Sequence, residues 1–193
     1  MLRQIVTPPE SRALEGPLVF LGGPIEGAAD WQSAAANRLA LLAPSVHVAN
    51  PRRELGPGEE LSREQMDWES SYLTRAAADG VILFWLAAEQ KRVPWRAYAQ
   101  TARAQLFEWK VRHELQNARL VVGIEEGFKG ASYIRRRFEQ DLLGFPIHAT
   151  LEDCCVAAAT LATGEAPRAG SRDGDRAPHD PARQGGGAVR ACG

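Results

Sequence analysis

Leu18-Val19-Phe20-Leu21-Gly22-Gly23-Pro24-Ile25 is a short apolar run that passes straight into two glycines and a proline. A run so brief and so uniformly apolar reads as a strand buried on both faces. The glycines end it and let the backbone approach a ligand closely, with N–H groups that can face an anion; the other reading of the pair is a plain tight turn.

Outward from this run, strand and helix signals alternate. Trp31, Ala35, Leu39 and Leu42 fall near helical spacing behind Asp30, a suitable N-cap. Residues 46–50 form a second apolar run, stopped by Pro51, and a polar Gly/Pro loop follows over about 52–61. Ser62 with Gln65 opens a helix that runs to about Ala78. Val81-Ile82-Leu83-Phe84-Trp85-Leu86 is the strongest strand of the chain. A helix over about 98–115, a strand at 120–124, a helix over about 133–142, a short strand at 146–149 and a closing helix over about 151–161 complete the series. This order predicts an α/β fold: a three-layer, flavodoxin-like or Rossmann-like doubly wound sheet of about five parallel strands with right-handed crossovers. Such sheets bind ligands beyond the carboxyl ends of their strands, where the strand order reverses. Segments 22–27, 50–53, 85–98 and 123–130 are therefore the expected walls of a crevice.

The 193 residues suit one domain, with an irregular segment over 1–16, the folded unit over 17–163, and a tail over 164–193. The tail has almost no large apolar residues and is expected to be disordered and outside the chemistry. Hydrophobic residues make up 45% and charged residues 24%, and the net charge of -1 provides no global field for nucleic acid or acidic membrane, so neither is expected as a partner. Cys154, Cys155 and Cys192 have neither a disulfide framework nor metal-ligand spacing, and no metal site is expected. The opening residues lack a signal-peptide core, and no run approaches the roughly 18 apolar residues of a membrane helix. A soluble cytoplasmic protein is the expectation.

Within the expected crevice, Gly22, Gly23, Pro24 and Ile25 form one wall. Asn50, Arg52 and Arg53 end the next strand, where guanidinium groups can hold a phosphate or carboxylate, or simply be solvated. Trp68 offers either a core residue or a stacking surface for a base, and Trp85 ends the strongest strand. Gln105 and Glu108 stand three apart on one helix, about 60° from each other around its axis at roughly 100° per residue.

Taken together, Phe20-Leu21-Gly22-Gly23-Pro24-Ile25 with Trp31, Asn50-Pro51-Arg52-Arg53, Gln65-x-x-Trp68-Glu69, Val81 to Trp85, and the stretch 101–109 followed by Leu120-Val121-Val122-Gly123 resemble the nucleoside 2-deoxyribosyltransferase-like family. The resemblance implies a small-molecule nucleoside or nucleotide as partner, no cofactor, and cleavage or exchange of an N-glycosidic bond through a glutamate nucleophile. It also admits a homo-oligomer in which copies complete one another's sites. The family pattern around that glutamate is roughly Glu-Leu-Gly-x-Trp. In one register Gln105 of Gln105-Leu106-Phe107-Glu108-Trp109 takes the nucleophile position; in the other Glu108 does. Glu69 carries over as the acidic residue that positions the sugar or nucleophile. Three readings follow: a transferase or hydrolase of N-glycosidic bonds, a non-catalytic nucleotide-binding or sensing module suggested by Gln105, and an interaction domain whose strand ends are plugged by Trp85, Trp95 and Phe107.

Overall fold

The computed structural model describes residues 4–53, 62–94 and 97–164. Its elements are β1 (Ile5–Val6), β2 (Leu18–Gly22), α1 (Trp31–Leu42), β3 (His47–Ala49), α2 (Arg63–Asp79), β4 (Gly80–Leu86), α3 (Gln100–Gln116), β5 (Leu120–Ile124), α4 (Ala131–Asp141), β6 (Ile147–His148) and α5 (Leu151–Thr163). All neighbouring strands pair in parallel, in the order β1-β3-β2-β4-β5-β6. Beyond β2 the chain first steps outward to β3 and then crosses to β4, so the order reverses between β2 and β4. This is the doubly wound arrangement expected from the alternation, and it puts the reversal at the glycine loop.

Strand alternation divides the apolar residues between two cores. Ile82, Phe84 and Leu86 of β4 join Trp68, Tyr72 and Leu73 of α2, Leu106 and Trp109 of α3, and Ile134 and Phe138 of α4. Val81, Leu83 and Trp85 face the other way, into Trp31, Ala35 and Leu39 of α1 and Cys154, Cys155 and Ala158 of α5. Because both faces are covered, β4 is apolar at every position. The helix starts follow their sequence signals: Asp30 accepts from the Ser33 N–H at 3.1 Å, and Ser62 accepts from the Gln65 N–H at 3.1 Å.

The sheet has one strand more than the sequence reading predicts. Ile5–Val6, inside the segment read as irregular, pairs with the outer edge of β3. Two residues carry no periodicity, and this strand is held by tertiary bonds. The buried His47 ring accepts from the Gln4 N–H through Nδ1 at 3.1 Å and lies 3.0 Å through Nε2 from the Glu15 carbonyl, so the second nitrogen carries the proton. Farther along, Trp68 Nε1 donates to the Glu10 carbonyl at 2.7 Å and the Arg12 N–H donates to the Tyr72 hydroxyl at 3.0 Å. The segment thus lies along one sheet edge and over α2. The predicted disorder of the tail concerns residues that, apart from Gly164, lie outside those described. No described helix is long and apolar enough to cross a membrane.

Candidate functional site at the strand ends

A crevice enclosing about 740 Å³ of empty space, part of it open to solvent, lies over the reversal point between β2 and β4. Its walls come from the loop after β2 (Gly22, Gly23, Pro24, Ile25, Glu26), from Pro51 and Arg53 after β3, from Gln65 and Glu69 of α2, and from the segment that leads into α3 and its first turns, ending at Gln105.

The loop after β2 is shaped by Gly23. Its φ of +151° suits glycine, and a side chain there would run into the Trp85 carbonyl oxygen and the Trp31 ring. Trp31 Nε1 in turn donates to the Pro24 carbonyl at 2.9 Å, which ties the loop to the start of α1. The glycine pair therefore allows the loop to press down against β4 and leaves space above it.

The opposite wall is polar and deep. Glu69 is 7% exposed. Gln105 Nε2 donates to its Oε2 at 2.8 Å and Gln65 Nε2 donates to its Oε1 at 3.3 Å. Burial pushes the Glu69 carboxyl above its ordinary value, and the two amide donors pull it partly back. A desolvated carboxylate held by one amide on each oxygen is thus aimed at the crevice from the second turn of α2. Tyr98 lies nearby, its hydroxyl donating to the Ala87 carbonyl at 2.7 Å, and burial raises its ionisation far above neutral pH. Ala99 takes the left-handed conformation at φ 57°, uncommon without glycine, and α3 begins there with no side-chain cap.

Of the residues singled out in the sequence, Gly22, Gly23, Pro24, Ile25, Arg53, Glu69 and Gln105 meet at this crevice. The others do different work. Glu108 does not line the crevice; it pairs with Arg112 at 2.7 Å, both side chains well exposed. Trp68 is a core residue, its ring 4.5 Å from that of Tyr72, and its indole N–H is spent on Glu10. Trp85 is buried in the core on the α1 and α5 side, because its parity on β4 is opposite to that of Phe84. Asn50 accepts from the Arg52 N–H at 2.9 Å and closes a local turn. Arg52 reaches to Gln32 at 2.9 Å and pairs with Asp30 at 3.5 Å, fastening the start of α1. The segment after β5 stays outside the crevice wall; there Glu125 accepts from the Ala88 N–H at 2.6 Å and braces the end of β4.

The open crevice also counts against plugged strand ends: Trp85 lies in the core, Phe107 packs edge-on to Tyr133, and Trp95 lies outside the described residues. A second hollow at the other end of the sheet contains Arg75 and Arg119, but both donate to backbone carbonyls, of Leu14 and Leu161. Gln65 is one of the wall residues that the site prediction missed, with Glu26, Glu89 and Tyr98 among the others. Its signal was present, since it stands one helical turn before Glu69, but its position in the capping box gave it a local role first. No group of three or more metal-binding side chains occurs among the described residues.

Residues 16–128 match the family model described as nucleoside 2-deoxyribosyltransferase like, which covers more than half of the chain and every wall of the crevice. No curated protein sequence matches the chain.

Proposed function

Because the chain belongs to the nucleoside 2-deoxyribosyltransferase-like family, we propose that its crevice binds a nucleoside and cleaves the N-glycosidic bond, with Glu69 as the attacking carboxylate. The observation that carries this reading is the setting of Glu69 in the wall, buried and held on both oxygens. The carboxylate attacks C1′ on the ring face opposite the base. A C1′–O bond forms as the C1′–N bond breaks, the electron pair goes to the base nitrogen, and the base takes up a proton so that it leaves neutral. Water then attacks C1′ and frees the carboxylate, and the proton it loses replaces the one the base took. Nucleoside and water become free base and free sugar; a second base in place of water gives exchange. Burial leaves the Glu69 charge poorly solvated, which favours its discharge into a bond to carbon. Among the described residues the crevice is lined by Glu26, by Glu69, by Glu89, which is paired with Lys129 at 2.8 Å, and by one guanidinium, Arg53; this balance favours a neutral nucleoside over a nucleotide.

One observation favours a second reading. Gln105 stands where the family pattern implies a carboxylate, and an amide is a poor nucleophile, which suits a module that binds a nucleoside without turning it over. The two readings separate on incubation with a panel of nucleosides and their 5′-monophosphates, with free base and thermal shift measured together. Catalysis by Glu69 predicts base release that drops at least about a hundredfold in Glu69→Gln while ligand-induced stabilisation remains. Release should also fall on the acid side with an apparent pKa above the ordinary glutamate value of 4.5, since the attacking form is the ionised one. Undiminished release in Glu69→Gln refutes the assignment. Stabilisation without release from any substrate selects the binding module.

A further inference from the structure

Gln65 contains an unanswered acceptor. The side chain is 2% exposed and lines the crevice beside Glu69. Its Nε2 is committed as a donor to Glu69 Oε1. That fixes its oxygen as an acceptor, and this oxygen receives no hydrogen bond from any described group. A buried acceptor without a donor is destabilising, and such groups in a native fold call for a partner. The bond that orients the amide is long, 3.3 Å, and the terminal torsion of glutamine is broad, so the carbonyl can turn toward an incoming donor at little cost.

The position of Glu69 says which donor that is. In a β-nucleoside the base and the 2′-hydroxyl lie on opposite faces of the sugar ring. A carboxylate that attacks C1′ opposite the base therefore arrives on the face that carries the 2′-hydroxyl, one bond from the reacting carbon. Gln65 stands four residues before Glu69 on α2, on the same helix face, and touches its carboxylate. We propose that the Gln65 carbonyl receives the 2′-hydroxyl of the sugar, so that this crevice selects ribonucleosides over 2′-deoxyribonucleosides. The inference rests on Glu69 facing C1′, and it concerns a part of the ligand on which Glu69 does not act. A deoxyribose leaves the Gln65 oxygen as it is in the free protein, whereas a ribose answers it. The bond also orients the sugar and holds the amide against Glu69 during attack, so the preference should appear in binding and again in turnover.

The test uses the full chain and matched pairs: adenosine, guanosine, cytidine and uridine against their 2′-deoxy counterparts, with affinity measured by calorimetry and base release by chromatography. The wild type should bind the ribo member about tenfold or more tightly for each base it accepts. Gln65→Met keeps the length of the side chain and removes the acceptor; it should lower the ratio of ribonucleoside to deoxynucleoside affinity toward one. A purely structural role for Gln65 moves both affinities together. A wild-type ratio near one, or a ratio that Gln65→Met does not change, overturns the inference while binding and base release leave the proposed function standing. Failure of every nucleoside to bind removes both. If Gln65→Met does not fold, the wild-type ratio alone still decides.

Discussion

Gln105→Glu turns the donor that faces Glu69 into a second carboxylate, and its consequence follows from one distance. In the native protein the Gln105 amide nitrogen lies 2.8 Å from Glu69 Oε2. Two ionised carboxylates in that position, with charge centres about 4 Å apart and an effective dielectric near 20, repel by about 4 kcal/mol. Loss of a hydrogen bond to a charged acceptor adds about 1.5–3 kcal/mol. The two side chains line an open crevice and can splay apart, so roughly half of the sum, about 3 kcal/mol, is the expected net penalty with both groups ionised. The folded pair escapes it by keeping one proton, which one carboxyl donates to the other. That proton is bound in the folded state and released by the unfolded chain above the ordinary carboxylate range. The stability it preserves is present at low pH and is lost as pH rises through the folded pair's value. Native Glu69 has the same sign to a smaller degree, since burial raises its carboxyl. Urea unfolding at pH 5 and pH 8 reads the effect: the variant should lie within about 1 kcal/mol of the wild type at pH 5 and fall roughly 3 kcal/mol below it at pH 8. An equal difference at both pH values would mean that the two side chains do not face each other, and the geometry of the crevice wall would have to be redrawn.

Two further substitutions probe the other wall and Glu108. Gly23→Ala should cost about 2–4 kcal/mol in urea unfolding, because the left-handed backbone is strained and the new methyl meets the Trp85 carbonyl and the Trp31 ring; an unchanged midpoint would show that the loop does not press on β4. Glu108→Gln removes only an exposed pair with Arg112, so stability should change by no more than about 0.5 kcal/mol and base release should match the wild type; a tenfold slower release would return Glu108 to the site.

The fold and the place of the site were legible in the chain because both depend on local signals. Leu18 to Gly22 and Val81 to Leu86 are apolar at nearly every position, as strands covered on both faces must be. Asp30 and Ser62 cap the helices they were expected to cap. The reversal in strand order then follows from a small set of allowed connections, and with it the crevice at Gly22 and Gly23. The sixth strand escaped notice because two residues have no period to read; Ile5 and Val6 become a strand through the edge of β3 and the buried ring of His47.

The roles of individual side chains needed the tertiary structure. Helical spacing puts Gln105 and Glu108 about 60° apart on one helix face but does not say which of them reaches the crevice, since the roll of α3 about its axis is set by burial of Ala102, Leu106 and Trp109. That roll turns Gln105 to Glu69 and Glu108 to solvent. In the same way, strand parity sends Trp85 into the core behind the loop, and Arg52 is drawn away by Gln32 and Asp30, two partners distant in sequence. Sequence alone determined where a crevice would form, because strand ends and glycine turns are local. Only the packed structure decided that Glu69, rather than Glu108, supplies its buried carboxylate, because burial and hydrogen bonding are properties of neighbours that the chain brings together from far apart.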